Sequence, residues 1–139
     1  MKKLLAALMF VVACGAAQAA ELDTSDKAAI RTAIESQIDA FKRDDGKAAF
    51  AYASPRIKSI FKDPDTFMNM VRKDYRPVYR PKAVSFRDLE IIEGNLVQPV
   101  MVVGPTGVPV TALYIMERQD DGTWLIGGCA LTEEPGKGI

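Results

Sequence analysis

The stretch "VPVTALYIMERQDDGTWLIGGCALT", residues 108–132, decides the fold. Val110, Ala112, Tyr114 and Met116 share one parity, and Leu113 and Ile115 share the other. A period of two marks a strand, and apolar residues on both parities mark one with two apolar faces. Asp121-Gly122 supplies tight-turn chemistry, and residues 123–132 resume the strand pattern, with Trp124 and Ile126 set against Leu125, Cys129 and Leu131. This is an antiparallel hairpin. Helices can cover one of its faces. The other calls for a second copy in a sheet-to-sheet homodimer, or for cover by loops and tail, and both readings stay open.

Upstream, "LVQPVMVV" (96–103) reads as a further strand, in which Pro99 points to an edge or an irregular spot. Glu93-Gly94-Asn95 reads as a turn, and Gly104-Pro105-Thr106-Gly107 as a hairpin loop. Val84 and Phe86 alternate on one parity, Leu89 and Ile91 on the other. The switch at Arg87-Asp88 suggests a bulge or bend in one long strand.

Before residue 83 the period changes to that of helices. Ile30, Ile34, Ile38 and Phe41 form one face of a first helix, with Thr24 or Ser25 as its cap. Asp45 caps a short second helix with Ala49, Phe50 and Ala53 turned inward. Ser54-Pro55 breaks the chain, and Ile57, Ile60 and Phe61 suggest another turn or two. Asp63-Pro64 opens a helix whose buried stripe is Phe67, Met70, Val71 and Tyr75. Pro77 stops it, and Arg76, preceding a proline, is pushed from helical geometry. Helices first and a meander of about four strands after them make an α+β domain.

The ends carry other information. Lys2 and Lys3, an apolar run over residues 4–13 and Ala17-Gln18-Ala19 make an export signal over residues 1–19. The run is too short for a stable membrane span. Residues 20–24 are then a linker, 25–132 the domain and 133–139 a loose tail. Val11-Val12-Ala13-Cys14 also fits a loose lipobox, so a lipoprotein anchored at Cys14 is the alternative to soluble export into the periplasm or beyond. Soluble export is favoured, because leucine is commoner at the first position of such a box and the Ala-Gln-Ala site is well placed.

The full chain of 139 residues has 18 basic and 18 acidic residues, and loss of Lys2 and Lys3 leaves a net charge of −2. That balance does not suggest nucleic acid, which calls for a basic surface. Soluble export leaves Cys129 as the one cysteine, with no intrachain disulfide to form. No histidine is present, which excludes Ser-His-Asp and Cys-His nucleophilic sites and the usual zinc sets. No cofactor or metal is implied.

Three segments carry a resemblance: "AIESQIDAFKRDDGKAAFAYASP", "MVRKDYRPVYRPKAVSF" and "DGTWLIGGCAL". Together they resemble an uncharacterised family of exported bacterial proteins, a domain of unknown function. In layout the chain is similar to the nuclear-transport-factor-2-like group, whose curved sheet wraps helices into a cone. The resemblance runs from about Ser25 to Leu131. It implies a pocket between sheet and helices and implies no activity, because that fold hosts isomerases, dehydratases, transport adaptors and inert modules.

The strongest constellation is the repeat Tyr75-Arg76-Pro77 and Tyr79-Arg80-Pro81. Guanidinium groups grip carboxylates and phosphates through paired hydrogen bonds, and tyrosine adds a flat wall and a hydroxyl. Tyr75, Arg76, Tyr79 and Arg80, with Tyr114 and Trp124 from the strands, are therefore the candidate site for a small anionic or carboxylate ligand. The competing reading is favoured: the prolines shape the helix-to-strand joint, and the arginines pair with Asp74, Asp88 or Glu90. A cone-type enzyme would instead use an acid with Tyr or Arg, drawing on Asp39, Asp44, Tyr52, Tyr75, Tyr79 or Tyr114, and would need a buried carboxylate of raised pKa. A non-catalytic ligand-binding or protein-interaction module is the default.

Overall fold

The structure, a computed structural model, describes residues 22–133. The expected export signal, with Cys14, and the tail beyond residue 133 lie outside the described residues.

Helix α1, Thr24–Lys42, is capped by Asp23 rather than by Thr24 or Ser25. The Asp23 carboxylate accepts from the Asp26 N–H at 2.8 Å, and the Asp23 N–H donates back to the Asp26 carboxylate at 3.3 Å. This reciprocal pair needs an acid or amide three residues after the cap. Thr24 and Ser25 have Lys27 and Ala28 there, which cannot return the bond. The expected stripe of Ile30, Ile34, Ile38 and Phe41 is buried, joined by Ala33, Gln37 and Ala40. Ile30 and Ile34 are wholly buried, which stabilises the fold by about 1.5–3 kcal/mol each.

Three capped helices follow. Asp45 caps α2 (Gly46–Ala51), Ser54 caps α3 (Pro55–Phe61), and Asp63 caps α4 (Pro64–Asp74). In α3 and α4 a proline sits in the first turn, where its missing N–H is no loss. The same rule corrects the expectation for Pro77. Helix α4 breaks at Tyr75, and Pro77 lies in the first turn of a separate short helix, α5 (Arg76–Tyr79). Residues 76–79 are therefore helical and not extended.

The sheet is antiparallel: β1 (Ala83–Phe86), β2 (Glu90–Ile92), β3 (Asn95–Val103), β4 (Pro109–Arg118) and β5 (Trp124–Glu133). The path runs β1-β3-β4-β5, and β2 lies on the same side of β3 as β1. The long first strand expected from the sequence is thus interrupted at residues 87–89, where the parity switch placed a bend. Pro99 sits inside the sheet and not on an edge, yet its spot is irregular. Its carbonyl accepts from the Arg87 N–H at 3.0 Å, so its nitrogen also faces the interruption. The missing N–H therefore falls where the ladder is already broken. Buried Gln98 closes the gap, its amide nitrogen donating to the carbonyls of Arg87 at 2.6 Å and Pro99 at 2.9 Å.

The helices cover one face. Val100, Val102, Ala112, Tyr114, Met116, Trp124 and Ile126 pack with Ile30, Ile34, Ile38 and Val78 in one cluster. A second cluster lies among the helices, built from Phe41, Phe50, Phe67, Met68 and Val71 with Ala40, Ala49 and Ala53. Tyr75 packs against both. On the opposite sheet face Met101, Val103, Leu113 and Ile115 are partly exposed.

The free edge of β5 is partly covered. The Ser54 N–H donates to the Ile126 carbonyl, and the Ile126 N–H to the Tyr52 carbonyl, both at 2.8 Å. Arg56 donates to the Gly127 carbonyl at 3.1 Å. Gly127 forms a bulge, since the register steps from Ile115 opposite Gly128 to Met116 opposite Ile126. A Cβ there would collide with the Glu117 carboxylate, so glycine is what lets that side chain lie across the bulge as it does.

Candidate functional site

Where the two clusters meet, the side chains leave a cavity of about 610 Å³. Phe41, Phe67 and Val71 come to it from the helical cluster, and Val78, Tyr114 and Ile126 from the sheet cluster. Its volume lies in the range that holds a drug-sized molecule. Ile57, Ile60 and Phe61 of α3, Met70 of α4 and Leu131 of β5 complete the apolar wall. The polar contributors are few: Gln37, Asp74, Tyr75, Tyr114 and Cys129.

Each of these has a defined state. Gln37 is buried on α1 and donates from Nε2 to the Ala49 carbonyl at 3.1 Å. Tyr75 donates its hydroxyl to the Cys129 carbonyl at 2.8 Å, which ties the α4–α5 junction to the β5 edge. Partial burial, and after it the neighbouring Cys129 and Asp74, raise its phenol pKa. Tyr114 and Cys129 are directly opposed across β4 and β5, so their side chains leave the sheet on the same face. Tyr114 is 2% exposed, and among the described residues its hydroxyl has no hydrogen-bond partner. Burial pushes the Tyr114 phenol well above its usual pKa and the Cys129 thiol up to about 12. Cys129 is therefore a neutral thiol on the wall, not a poised nucleophile. As a residue it is only partly buried; the surroundings of the sulfur, not the residue's total exposure, set the titration.

The sequence-derived site residues separate. Tyr75 and Tyr114 line the cavity; Arg76, Tyr79, Arg80 and Trp124 do not. Arg80 donates to Asp44 at 2.8 Å and to the Phe41 carbonyl at 2.5 Å, and it stacks on the Tyr79 ring with its guanidinium carbon 3.9 Å from the centroid. The Tyr79 hydroxyl also donates to Asp44, and Arg72 donates to that hydroxyl at 3.2 Å. Asp44 is therefore the anion these groups serve, in place of the expected Asp74, Asp88 or Glu90. Its pKa is lowered, first by the Tyr79 bond and then by Arg80 and Arg72. Arg76 is exposed, one helical turn before Arg80. Trp124 lies beyond the cavity, where its indole N–H donates to Asp26 at 3.2 Å, and Arg118 pairs with Asp26 at 2.8 Å.

The acids proposed for catalysis are placed elsewhere too. Asp39 is exposed on α1 and does not line the cavity, and Asp44 is engaged as described. Tyr52 packs against the sheet cluster. Among the described residues, every carboxylate with a shifted pKa is shifted downward. Among them, too, no three His, Cys, Asp or Glu side chains gather as a metal site, and no helix is long and apolar enough to cross a membrane. Sequence reasoning missed Gln37, Asp74 and the α3 isoleucines as cavity residues. Gln37 had a readable signal, being polar and one position before Ile38 of the buried stripe.

Residues 23–139 match DUF4864, a domain of unknown function. No curated protein and no solved structure gives a significant match. The match spans nearly all of the described fold, so the chain belongs to the DUF4864 family.

Proposed function

We propose that this is an exported, non-catalytic binding module that takes up a small, largely apolar molecule between α3, α4 and the helix-facing side of the sheet. The observation that carries this reading is the cavity itself: about 610 Å³ left unfilled at the seam of two otherwise packed clusters. Interiors normally pack with few voids larger than a water molecule. The cavity's deep walls are already shielded from water, and at its mouth the exposed Ile60 stays hydrated unless a ligand covers it. In this reading the curved sheet and its helices form the cone that the resemblance implies, and the cavity is its pocket. The unpartnered Tyr114 hydroxyl is the natural anchor for a ligand's polar group, reached by a small displacement of the neighbouring side chains.

Catalysis is the weaker reading, since the one carboxylate on the wall among the described residues, that of Asp74, belongs to an exposed residue, and the thiol is held neutral. An anion pocket on Arg76 and Arg80 is weaker still, because Arg80 is bound to Asp44 and neither arginine lines the cavity.

The test is uptake of the neutral solvatochromic dye Nile red by the mature protein. Wild type should bind it with a blue shift in emission. Ile57→Trp and Leu131→Trp, which fill the space from opposite sides, should each weaken uptake while keeping a native circular dichroism spectrum. Equal uptake by folded wild type and both variants would place the dye elsewhere and sink the reading.

A further inference from the structure

The cavity has an electrostatic sign, and it is set at the rim. Among the described residues no lysine or arginine lines it, and Asp74 is the one charged residue that does. Asp74 is also the last residue of α4, an eleven-residue helix. A helix C-terminus carries the negative end of the backbone dipole, so an acid there is unfavourable and a cation favourable. Lys73 and Arg76 flank Asp74 in sequence, yet among the described residues no cation forms an ion pair with it. Five other described aspartates are engaged: Asp23, Asp45 and Asp63 cap helices, and Asp26 and Asp44 hold arginines; the exposed Asp39 is not, but it does not line the cavity. At the mouth of an apolar cavity, then, stands an unpaired carboxylate at a helix C-terminus, while Arg72 and Lys73 of the same last turn do not line the cavity.

We propose that the ligand is a cationic amphiphile: an apolar body that fills the cavity, bearing a protonated amine that pairs with Asp74 at the rim. This rests on the reading of the cavity as a binding site and gives that site its substrate class. Carboxylate and phosphate heads are disfavoured twice, by repulsion from Asp74 and by the lack of any cation on the wall to compensate their desolvation. An exposed ion pair is worth up to about fivefold in affinity and a like-charge contact costs about as much, so amine and carboxylate forms of one ligand should differ by up to roughly 25-fold.

The experiment measures displacement of Nile red by decylamine, decan-1-ol and decanoate, each below its micelle concentration, near neutral pH and at low salt. Wild type should rank amine, then alcohol, then carboxylate. In Asp74→Asn the amine-to-carboxylate ratio should collapse toward one, and in Asp74→Lys the order should reverse. Asp39→Asn removes an exposed acid that does not line the cavity and should keep the wild-type ratio. Decanoate matching decylamine in wild type, or an unchanged order in Asp74→Lys, overturns the charge assignment while leaving the cavity as a binding site. Nile red binding that none of the three compounds displaces overturns both.

Discussion

Tyr114 carries a hydroxyl that finds no partner among the described residues, in a residue almost wholly removed from water. Water satisfies that group in the unfolded chain, so folding loses a hydrogen bond there. Tyr114→Phe removes the unsatisfied oxygen and keeps the ring. It should leave the protein equally stable or more stable, by up to about 1–2 kcal/mol in urea denaturation. A loss of more than this would mean that the hydroxyl has a partner in solution. Cys129 makes the complementary point. Burial pushes its thiol pKa up to about 12, so at neutral or mildly alkaline pH the thiolate is scarce. The native protein should react with a disulfide reagent far more slowly than the same protein in denaturant. Equal rates would contradict the burial of that sulfur.

Among the elements, the α3–α4 connection carries backbone strain. Lys62 has φ 75 and ψ −39, and the Asp63 N–H reaches back to the Phe61 carbonyl at 2.9 Å. This is a three-residue turn around a non-glycine residue in a left-handed conformation, which costs of order 1 kcal/mol or more. The turn lets Ser54-Pro55 and Asp63-Pro64 open successive helices, and it delivers Phe61 to the cavity wall. Lys62→Gly, free of the Cβ conflict, should raise the thermal midpoint, by about 0.5–1 kcal/mol in stability. A fall in stability would show that the turn differs in solution. The α5 turn is held by shape instead. Gly104 approaches Pro77 so closely that a Cβ on it would lie 2.9 Å from the Pro77 Cα. That contact seats α5 against the end of β3.

At the scale of the molecule, α1 is fastened at both ends by carboxylates. Asp26, near its start, holds Trp124 and Arg118, and Asp44, just past its end, holds Tyr79 and Arg80. Both have pKa values below the ordinary 3.8, chiefly through the Trp124 and Tyr79 hydrogen bonds respectively. A carboxylate depressed on folding contributes stability that is fully present above its unfolded value and is lost as pH falls through its folded value. Stability should therefore decline as pH drops below about 4. Asp26→Asn/Asp44→Asn should be less stable than wild type at neutral pH and should show a shallower acid limb, read from Trp124 emission. An acid limb as steep as that of wild type would mean that other groups set it.

Much of this architecture was legible in one sequence because its causes are local. The period-two run over residues 108–118, the Asp-Gly turn, the helical stripe ending at Phe41 and the caps at Asp45 and Asp63 each depend on neighbours a few positions away. Together they determined an α+β domain, helices before sheet, and even the break in the first strand at Arg87-Asp88. The candidate site was not legible in this way. Tyr75, Arg76, Tyr79 and Arg80 stand together in sequence, yet a helical turn sends Tyr75 to the cavity and Arg80 to Asp44, 36 positions away. Only the tertiary structure decides that separation. Which partner a side chain meets, and where two packed clusters fail to merge, follow from the three-dimensional seating of α4 and α5 on the sheet, and no short-range pattern encodes them.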